Sequence, residues 1–370
     1  MSAFRFLSRG QKDAPDVVVV GSGLGARAIA LELARRRCRV TVLEQAPAAA
    51  APPGLGLVAL GPGRPYEQVV SALGRSEARS VWEASRENRE LLGEFLEEVG
   101  RDCACQARGS FLLGADRAEA ESLANSEDML REDDFPGEFL DHYMLETHFD
   151  VSGFTGAYWA ADDIELDAAE LTATVHAAAR SAGVVFRRVR VLGLDAGDSG
   201  AVVKTDEAPV LASSVVVATD ALASGLLPDL RPGLPAASAR LHVAMEAGAL
   251  LPTAARTADG QIAWQASAAG LTLAATGGPG TEPDDPARLD ALASRLPARP
   301  GGERRWAESG GLPADGLPIV GPLAGRPLAV ACGLGPLEAS LAFVAARWIA
   351  DAVLTGRDPT PGPFRAGRAV

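Results

Sequence analysis

The chain has 370 residues, of which 47% are hydrophobic and 22% are charged, so it is long enough for two globular domains. Its formal net charge of -13 argues against nucleic acid or an anionic membrane surface as a partner, because both require clustered basic side chains. No apolar run approaches the roughly 18 residues that a membrane-spanning helix needs. Lys12 and Lys204 are the only lysines, so a lysine catalyst is not expected.

Cysteine and histidine usage indicates a reducing compartment and no metal site. None of the four cysteines forms a CxxC pair. Cys103 and Cys105 have no histidine near them in the sequence, which favours idle thiols over a metal site or a redox bond. The spacing of His142, His148 and His176 also predicts no metal ligands. We therefore expect a cytoplasmic protein without a metal.

The first elements predict a βαβ unit. The β-branched run Val17–Val20 is typical of a parallel strand that is buried on both faces. Residues 26–37 follow a Gly-rich turn and carry an apolar stripe at helical spacing. Residues 40–43 then predict the second strand of the unit.

The turn between the first strand and the helix has GxGxxA form, and its residues are Gly21, Ser22, Gly23, Leu24, Gly25 and Ala26. Gly21 allows a tight turn, and Gly23 lets backbone N–H groups approach a pyrophosphate. Glu44 lies at the tip of the second strand, where a carboxylate accepts the ribose hydroxyls of an adenosine. The pattern therefore predicts a site for adenosine diphosphate.

Downstream patterns alternate between loops, helices and strands. Residues 46–65 are rich in Ala, Pro and Gly and predict a linker or a ligand-covering loop. A long amphipathic helix is predicted for residues 76–99, and a short strand for residues 110–113. Asp167 and Glu170 have capping-box spacing and predict the start of another helix.

The second half returns to a sheet and then changes character. Strands are predicted at residues 184–191, 201–205 and 214–218. A more antiparallel region follows, with strands predicted at residues 240–245, 261–266 and 271–275 and a helix near residues 287–296. The last segment predicts a strand at residues 328–331, a Gly-rich turn, and an apolar helix at residues 338–354.

Several blocks resemble FAD-dependent oxidoreductases of the D-amino-acid oxidase type, the family that includes glycine oxidase and sarcosine oxidase. Besides the first block, these are residues 109–113 (GSFLL), 183–191, 214–219 (SVVVAT) and 315–321 (DGLPIVG). The last of them is the most specific, and Cys332-Gly333-Leu334 and a closing helix follow it at the interval usual for the family.

The resemblance implies an α/β fold with two domains. It implies a discontinuous Rossmann-type FAD-binding domain made of residues 15–100, 152–225 and 312–356. A mixed, largely antiparallel α+β substrate domain would comprise residues 101–151 and 226–311. Residues 1–14 and 357–370 are expected to be flexible tails.

The resemblance also implies which residues hold FAD. Beyond the GxGxxA turn and Glu44, the implied cofactor contacts are Gln45, Val191, Ala218, Thr219, Gly333, Leu334 and Gly335. The implied reaction oxidises a C–N bond of an amine, amino acid or N-methylated amine by hydride transfer to the flavin. Whether the chain acts alone or in a homo- or hetero-oligomer stays open.

The chain departs from the family pattern at the flavin end. Residues 50–56 lack the Ser/Thr, Arg and Asn donors that usually cap the pyrophosphate and the flavin. Asp220 replaces the Gly that usually follows the VVVAT block, and it adds a negative charge there. Pro336 removes an N–H group from the turn before the last helix.

The substrate side departs as well. Residues 307–311, which follow Trp306, offer no Arg for a substrate carboxylate. Arg240 and His242 alternate onto one face of a predicted strand and are candidate substrate contacts. An ordinary exposed sheet face explains the same two residues equally well.

Two further hypotheses compete with the enzyme. The chain is a degenerate homologue that serves as a binding or structural subunit, as the lost donors suggest. Alternatively it is an NAD-dependent enzyme, since the first motif and Glu44 would serve NAD too. The 315–321 block argues against NAD, and we favour the FAD enzyme over the degenerate homologue.

Overall fold

The structure is a computed structural model that describes residues 15–44, 55–149, 152–197, 200–228, 236–245, 253–267, 270–276 and 304–369. The predicted N-terminal tail and the helix predicted near residues 287–296 lie outside these residues. Among the helices in the described ranges, none is long and apolar enough to cross a membrane.

The described ranges contain eight α-helices and two main sheets. The helices are α1 (Leu24–Arg35), α2 (Tyr66–Leu73), α3 (Arg75–Val99), α4 (Arg117–Glu132), α5 (His142–Phe149), α6 (Ala168–Ser181), α7 (Ala223–Leu226) and α8 (Glu338–Thr355). Short 3-10 turns occupy Asp220–Leu222, Gly335–Leu337, Gly362–Phe364 and Ala366–Ala369.

The first sheet is built mainly of parallel strands in the order β18, β19, β12, β1, β2, β8. In chain order these are β1 (Val17–Val20), β2 (Val40–Glu44), β8 (Val185–Arg188), β12 (Ser214–Val217), β18 (Ile319–Pro322) and β19 (Leu328–Cys332). All four valines of β1 are buried, and β1 pairs in parallel with both β2 and β12. The predicted Rossmann-type βαβ unit is therefore confirmed.

The second sheet has eight strands in the order β17, β13, β16, β15, β14, β4, β6, β5. They are β4 (Ser110–Gly114), β5 (Gly137–Asp141), β6 (Gly156–Ala160), β13 (Ala236–Met245), β14 (Ala255–Thr257), β15 (Ile262–Ser267), β16 (Gly270–Thr276) and β17 (Arg304–Leu312). Neighbouring strands are antiparallel except for β14 and β4, which run parallel. This agrees with the predicted mixed, largely antiparallel second region.

Two smaller sheets complete the described strands. β3 (Leu57–Val58) pairs with β7 (Ile164–Glu165), and β9 (Val191–Gly197), β10 (Gly200–Thr205) and β11 (Val210–Ala212) form a three-stranded sheet. The single strand predicted at residues 184–191 is therefore wrong, because β8 and β9 belong to different sheets. The break lies at Arg190, whose N–H donates to the Asp206 side chain instead of a neighbouring strand.

Four of the described helices, α2, α4, α5 and α7, were not predicted from the sequence. α2 starts directly after Pro65, where the predicted Pro- and Gly-rich loop ends. The N-cap of α4 is Asp116, whose side chain accepts a hydrogen bond from the Glu119 N–H. The predicted cap of α6 is present in the same form, since Asp167 accepts from the N–H of Glu170.

The C-terminal segment is packed, and the prediction of a flexible tail is wrong for residues 357–369. Phe364 is fully buried, and its ring centroid lies 5.4 Å from that of Trp348 on α8. Arg365 donates to the carbonyl of Thr360, and Val320 of β18 forms a bridge with Arg365. Proline and glycine here make short 3-10 turns that bury one aromatic ring, so their abundance does not indicate disorder.

The two main sheets meet beside the carboxyl ends of β12 and β19. The turn Asp220–Leu222, which follows β12, contacts both β13 and β17 of the second sheet. The turn Gly335–Leu337, which follows β19, contacts β17. A ligand that lies across the ends of the parallel strands would therefore also face the second sheet.

Candidate cofactor site

The Gly-rich turn requires glycine at its first position. Gly21 has a φ of +153°, and a Cβ added there would lie 2.2 Å from the carbonyl oxygen of Ala218. Gly23 follows as the N-cap residue of α1, without a side-chain cap. This turn brings the N-terminus of α1 against the end of β12, so the predicted contacts Ala218 and Thr219 lie beside the GxGxxA turn.

A carboxylate of the chain itself occupies the N-terminus of α1. Gly25 donates its backbone N–H to Oε1 of Glu338, the first residue of α8, at 2.9 Å. A Cβ added to Gly23 would lie only 2.4 Å from the same oxygen. The helix N-terminus therefore binds an anionic oxygen at the position that the motif reserves for a pyrophosphate.

The predicted ribose-binding acid is also engaged. Glu44 lies at the end of β2, is 8% exposed, and its Oε2 lies 3.2 Å from NH2 of Arg27. Arg27 is fully buried, and its NH1 donates to the Gly23 carbonyl at 3.0 Å. Burial lowers the pKa of the Arg27 guanidinium, while the carboxylates of Glu44 and Glu338 oppose this shift. The acid therefore has a buried cationic partner inside the unit.

Two buried polar atoms, one in this ion pair and one in a nearby histidine, have no hydrogen-bond partner. Among the described residues, Nε of Arg27 and Nδ1 of His176 are buried without a hydrogen-bond partner. His176 lies on α6, and its ring centroid lies 4.2 Å from that of Phe186 in β8, with the two ring planes tilted by 49°. Burial lowers the pKa of His176, and the charge of Arg27 acts in the same direction. Polar atoms with unused hydrogen-bonding capacity therefore lie at the predicted adenosine site.

A second carboxylate binds the turn of residues 333–335, which follows β19 and is called the C-terminal turn below. Gly333 has a φ of +75° and donates its N–H to Oδ1 of Asp220 at 2.8 Å. Asp220 itself has a φ of +47°, a left-handed conformation that favours glycine. Burial, aided by the Asp220 charge, raises the pKa of the neighbouring Cys332 thiol to about 12. The Asp that replaces the family glycine therefore binds the backbone of the turn.

The C-terminal turn also packs directly on α1. The Cδ1 atom of Leu334 lies 2.6 Å from the position of a Cβ added to Gly25. Thr219, beside this contact, has a buried hydroxyl without a hydrogen-bond partner within the described part of the chain. Leu334 and Glu338 together cover the start of α1.

The structure brings most predicted site residues together, but not all. The turn 21–26, Glu44, Ala218, Thr219 and the turn 333–335 converge where the parallel strands end. Val191 starts β9, two residues after Val189, whose N–H donates to the Glu44 carbonyl. Gln45 lies outside the described residues.

The candidate substrate contacts are described only through their backbone. Arg240 and His242 both lie in β13, opposite Glu308 and Trp306 of β17. Their side chains lie outside the described part of the structure. Because β13 contacts the turn after β12, the strand that carries both residues reaches the candidate site.

A buried ion pair in the second sheet was missed by sequence reasoning. Arg256 on β14 lies 3.5 Å from Asp163, which also accepts hydrogen bonds from Ser110 and from the N–H of Leu60. Burial raises the pKa of Asp163 to about 6, and the charge of Arg256 counteracts that rise. Arg256 also lines a cavity of about 30 Å³ together with Tyr158. That volume holds one or two waters, and an amine substrate needs more room.

The backbone of the Gly-rich turn has the shape that a dinucleotide requires, but a side chain from elsewhere in the chain occupies the same space. Gly21, Gly23 and the N–H of Gly25 form a cradle that accepts an anionic oxygen. In this structure the Glu338 carboxylate occupies that cradle. Neither Glu338 nor Arg27 is part of the GxGxxA pattern, and sequence reasoning missed both. Arg27 could have been found, because it is a charged residue in the first turn of a helix that packs on the sheet.

The chain is similar to proteins that are named for amino-acid oxidation. It is 27% identical to a glycine oxidase of Geobacillus kaustophilus (strain HTA426) over 219 residues, 57% of this chain and 56% of that protein. The match thus spans about half the length of the relative. The crystal structure of glycine oxidase from Geobacillus kaustophilus matches with a TM-score of 0.78 at 23% identity, covering 96% of this chain and 99% of the other.

A second solved structure has the same fold. L-proline dehydrogenase from P. horikoshii matches with a TM-score of 0.74 at 17% identity, covering 95% of this chain and 96% of the other. Residues 16–352 match the model of the family described as FAD dependent oxidoreductase. This match confirms the resemblance seen in the sequence blocks. The chain therefore belongs to the family of FAD-dependent oxidoreductases.

Proposed function

We propose that the protein is an FAD-dependent oxidase or dehydrogenase that oxidises a C–N bond of an amine, amino acid or N-methylated amine. The observation that carries the proposal is the junction of two turns, 21–26 and 333–335, in a chain that matches the family over residues 16–352. Glycine oxidase and L-proline dehydrogenase, two proteins of similar fold, are named for reactions of amino acids.

Each end of the cofactor would be held by a separate part of this junction. The proposed pyrophosphate contacts are Gly21, Ser22, Gly23, Leu24, Gly25 and Ala26, and the proposed ribose contacts are Glu44 and Gln45. Val191 would lie on the adenine side. Ala218, Thr219, Gly333, Leu334 and Gly335 would contact the flavin end. When bound, the flavin supplies the hydride acceptor, and the protein binds and orients the substrate.

We place the substrate between the C-terminal turn and β13. This placement is supported by the contact of β13 with the turn Asp220–Leu222. Arg240 and His242 are two residues apart in this strand and therefore share one face of the sheet. A guanidinium here would bind a substrate carboxylate through two hydrogen bonds.

The alternative of a non-catalytic subunit is less well supported. It rests on the donors missing from residues 50–56, on the presence of Asp220 and Pro336, and on the absence of an Arg after Trp306. The family match nevertheless extends through all of these positions, and the backbone cradle at Gly21 and Gly23 is kept. We therefore favour the enzyme.

We also propose a cytoplasmic location. All four cysteines of the chain lie in the described ranges and all are free thiols. Free thiols are the usual state in reducing compartments. No group of His, Cys, Asp and Glu suited to a metal ion occurs within the described residues.

The experiment that tests the proposed function is anaerobic reduction of the bound flavin. Wild-type protein reconstituted with FAD is mixed with glycine, D- and L-amino acids, sarcosine and primary amines. We expect at least one compound to bleach the visible absorption bands of the oxidised flavin. Arg240→Ala should raise the half-saturating concentration of an amino-acid substrate more than that of an amine without a carboxylate. A stable oxidised spectrum with every compound would contradict the proposal.

A further inference from the structure

The residues at the N-terminus of α1 supply no anionic partner for it. Its first turn carries no acidic residue, and its N-cap Gly23 makes no side-chain hydrogen bond. The first N–H groups of a helix and its dipole attract negative charge. In this structure the carboxylate that meets them comes from Glu338, 313 residues further along the chain, through the N–H of Gly25.

Three features stabilise the Glu338 carboxylate at this position. It lies at the N-terminus of α1 and in the first turn of its own helix α8, so two helix dipoles favour it. The charge of the buried Arg27 also interacts with it. A side chain held in this way competes effectively with an incoming anion.

The start of α8 is fixed by other contacts. Asn88 donates to the carbonyl of Ala339 and accepts from the N–H groups of Phe343 and Val344. Ser340 accepts from the N–H of Ala59 at 2.9 Å. The helix itself is therefore anchored, so departure of Glu338 from the cradle requires only rotation of its side chain.

We propose that Glu338 is an internal competitor for the pyrophosphate of the dinucleotide, and that its carboxylate must leave the cradle before the cofactor binds. The inference rests on the proposed function for the identity of the ligand. A carboxylate oxygen 2.4 Å from a Cβ position on Gly23 fills the space that a phosphate oxygen needs. The two anions also repel each other, so occupancy of the cradle by one excludes the other.

The consequence is a reduced apparent affinity for the cofactor. If the cradle is open in only about one tenth of the molecules, the apparent dissociation constant is about tenfold larger than the intrinsic one. Removing the carboxylate should recover this factor. Removing its charge alone, with the same shape kept, should recover part of it.

The experiment measures ADP binding by calorimetry, because ADP contains the pyrophosphate without the flavin. Wild type is compared with Glu338→Ala, Glu338→Gln and the control Asp351→Asn. Asp351 is an acid in the last turns of the same helix and pairs with Arg36, the C-cap residue of α1. We expect Glu338→Ala to bind ADP about tenfold more tightly than wild type, with Glu338→Gln between them and Asp351→Asn equal to wild type. Circular dichroism establishes that each variant is folded, and Glu338→Gln keeps the test valid if the alanine variant unfolds.

The outcomes separate this inference from the proposed function. If wild type holds FAD and the Glu338 variants bind ADP with unchanged affinity, the competitor role is wrong and the proposed function stands. If the variants bind ADP tightly while wild type takes up no FAD, the competitor role is supported and the native chain does not act as a flavoenzyme. If no folded protein binds ADP although wild type takes up FAD, the competitor role is wrong and the proposed function stands. If none of them takes up ADP or FAD, both are wrong.

Discussion

Charge removal at Arg27 and Glu44 tests whether these two side chains form a buried ion pair. The guanidinium is fully buried, and the carboxylate side chain is 10% exposed. Arg27→Met removes the positive charge at similar volume and leaves a buried carboxylate. The double variant with Glu44→Gln removes both charges and leaves no uncompensated ion.

The expected magnitudes follow from what each variant leaves behind. Breaking a buried ion pair by removing one partner costs about 3 to 5 kcal/mol, and Arg27→Met belongs to that class. Glu44→Gln should cost about 1 to 2 kcal/mol, because its amide oxygen still accepts a hydrogen bond and Glu338 still faces the guanidinium. The double variant should lie within about 2 kcal/mol of wild type, since neutral replacement of a buried pair is often tolerated.

Urea unfolding of the four proteins measures the free energy of unfolding in a double-mutant cycle. We expect the loss in the double variant to be smaller than the loss in Arg27→Met alone. If the two single losses simply add, the residues are not coupled, and the buried ion pair does not exist in solution.

Three other predictions concern the fold. Gly21→Ala should lower the free energy of unfolding by more than about 2 kcal/mol, because its Cβ meets a backbone carbonyl. The control Gly93→Ala, inside α3 and with open space around it, should raise the free energy of unfolding by about 0.5 to 1 kcal/mol. Equal effects of the two substitutions in urea unfolding would refute the first claim. Burial raises the pKa of Asp163 to about 6, so between pH 4 and 6 the folded state holds a proton that the unfolded state releases, and its contribution to stability falls as pH rises. Asp163→Asn should flatten that decline in denaturant titrations, and an unchanged slope would speak against it. Phe364→Ala should cost about 3 to 5 kcal/mol in thermal or chemical unfolding, while a loose C-terminal segment predicts no change.

Local patterns were sufficient for the parts of the site that lie close together in the sequence. Val17–Val20, the turn at Gly21 and the acid at Glu44 form one βαβ unit of fewer than about 30 residues. Their apolar runs and glycines depend on burial and backbone conformation, which short segments largely determine. The same holds for the Asp167 cap, which needs only the N–H three residues onward.

The chain does not reveal its long-range contacts in the same way. Nothing in the residues around Glu338 indicates that its carboxylate lies against Gly25, since that contact depends on how α8 packs beside α1. The Asp220 side chain was expected to add a negative charge at the flavin end, but its bond to the Gly333 N–H follows only from the pairing of β12 with β19. Charged residues that cap distant backbone groups require the tertiary fold before they can be assigned.

The most direct test of the central claim is the FAD content of the purified chain after reconstitution. If FAD binds at the turn 21–26, wild type should hold one FAD per chain. Gly23→Val should hold far less, because a side chain there takes the space of the pyrophosphate. The variant should remain folded, since its Cβ meets only the far end of the flexible Glu338 side chain. Wild type without bound flavin, or Gly23→Val with an equal amount, would contradict the account.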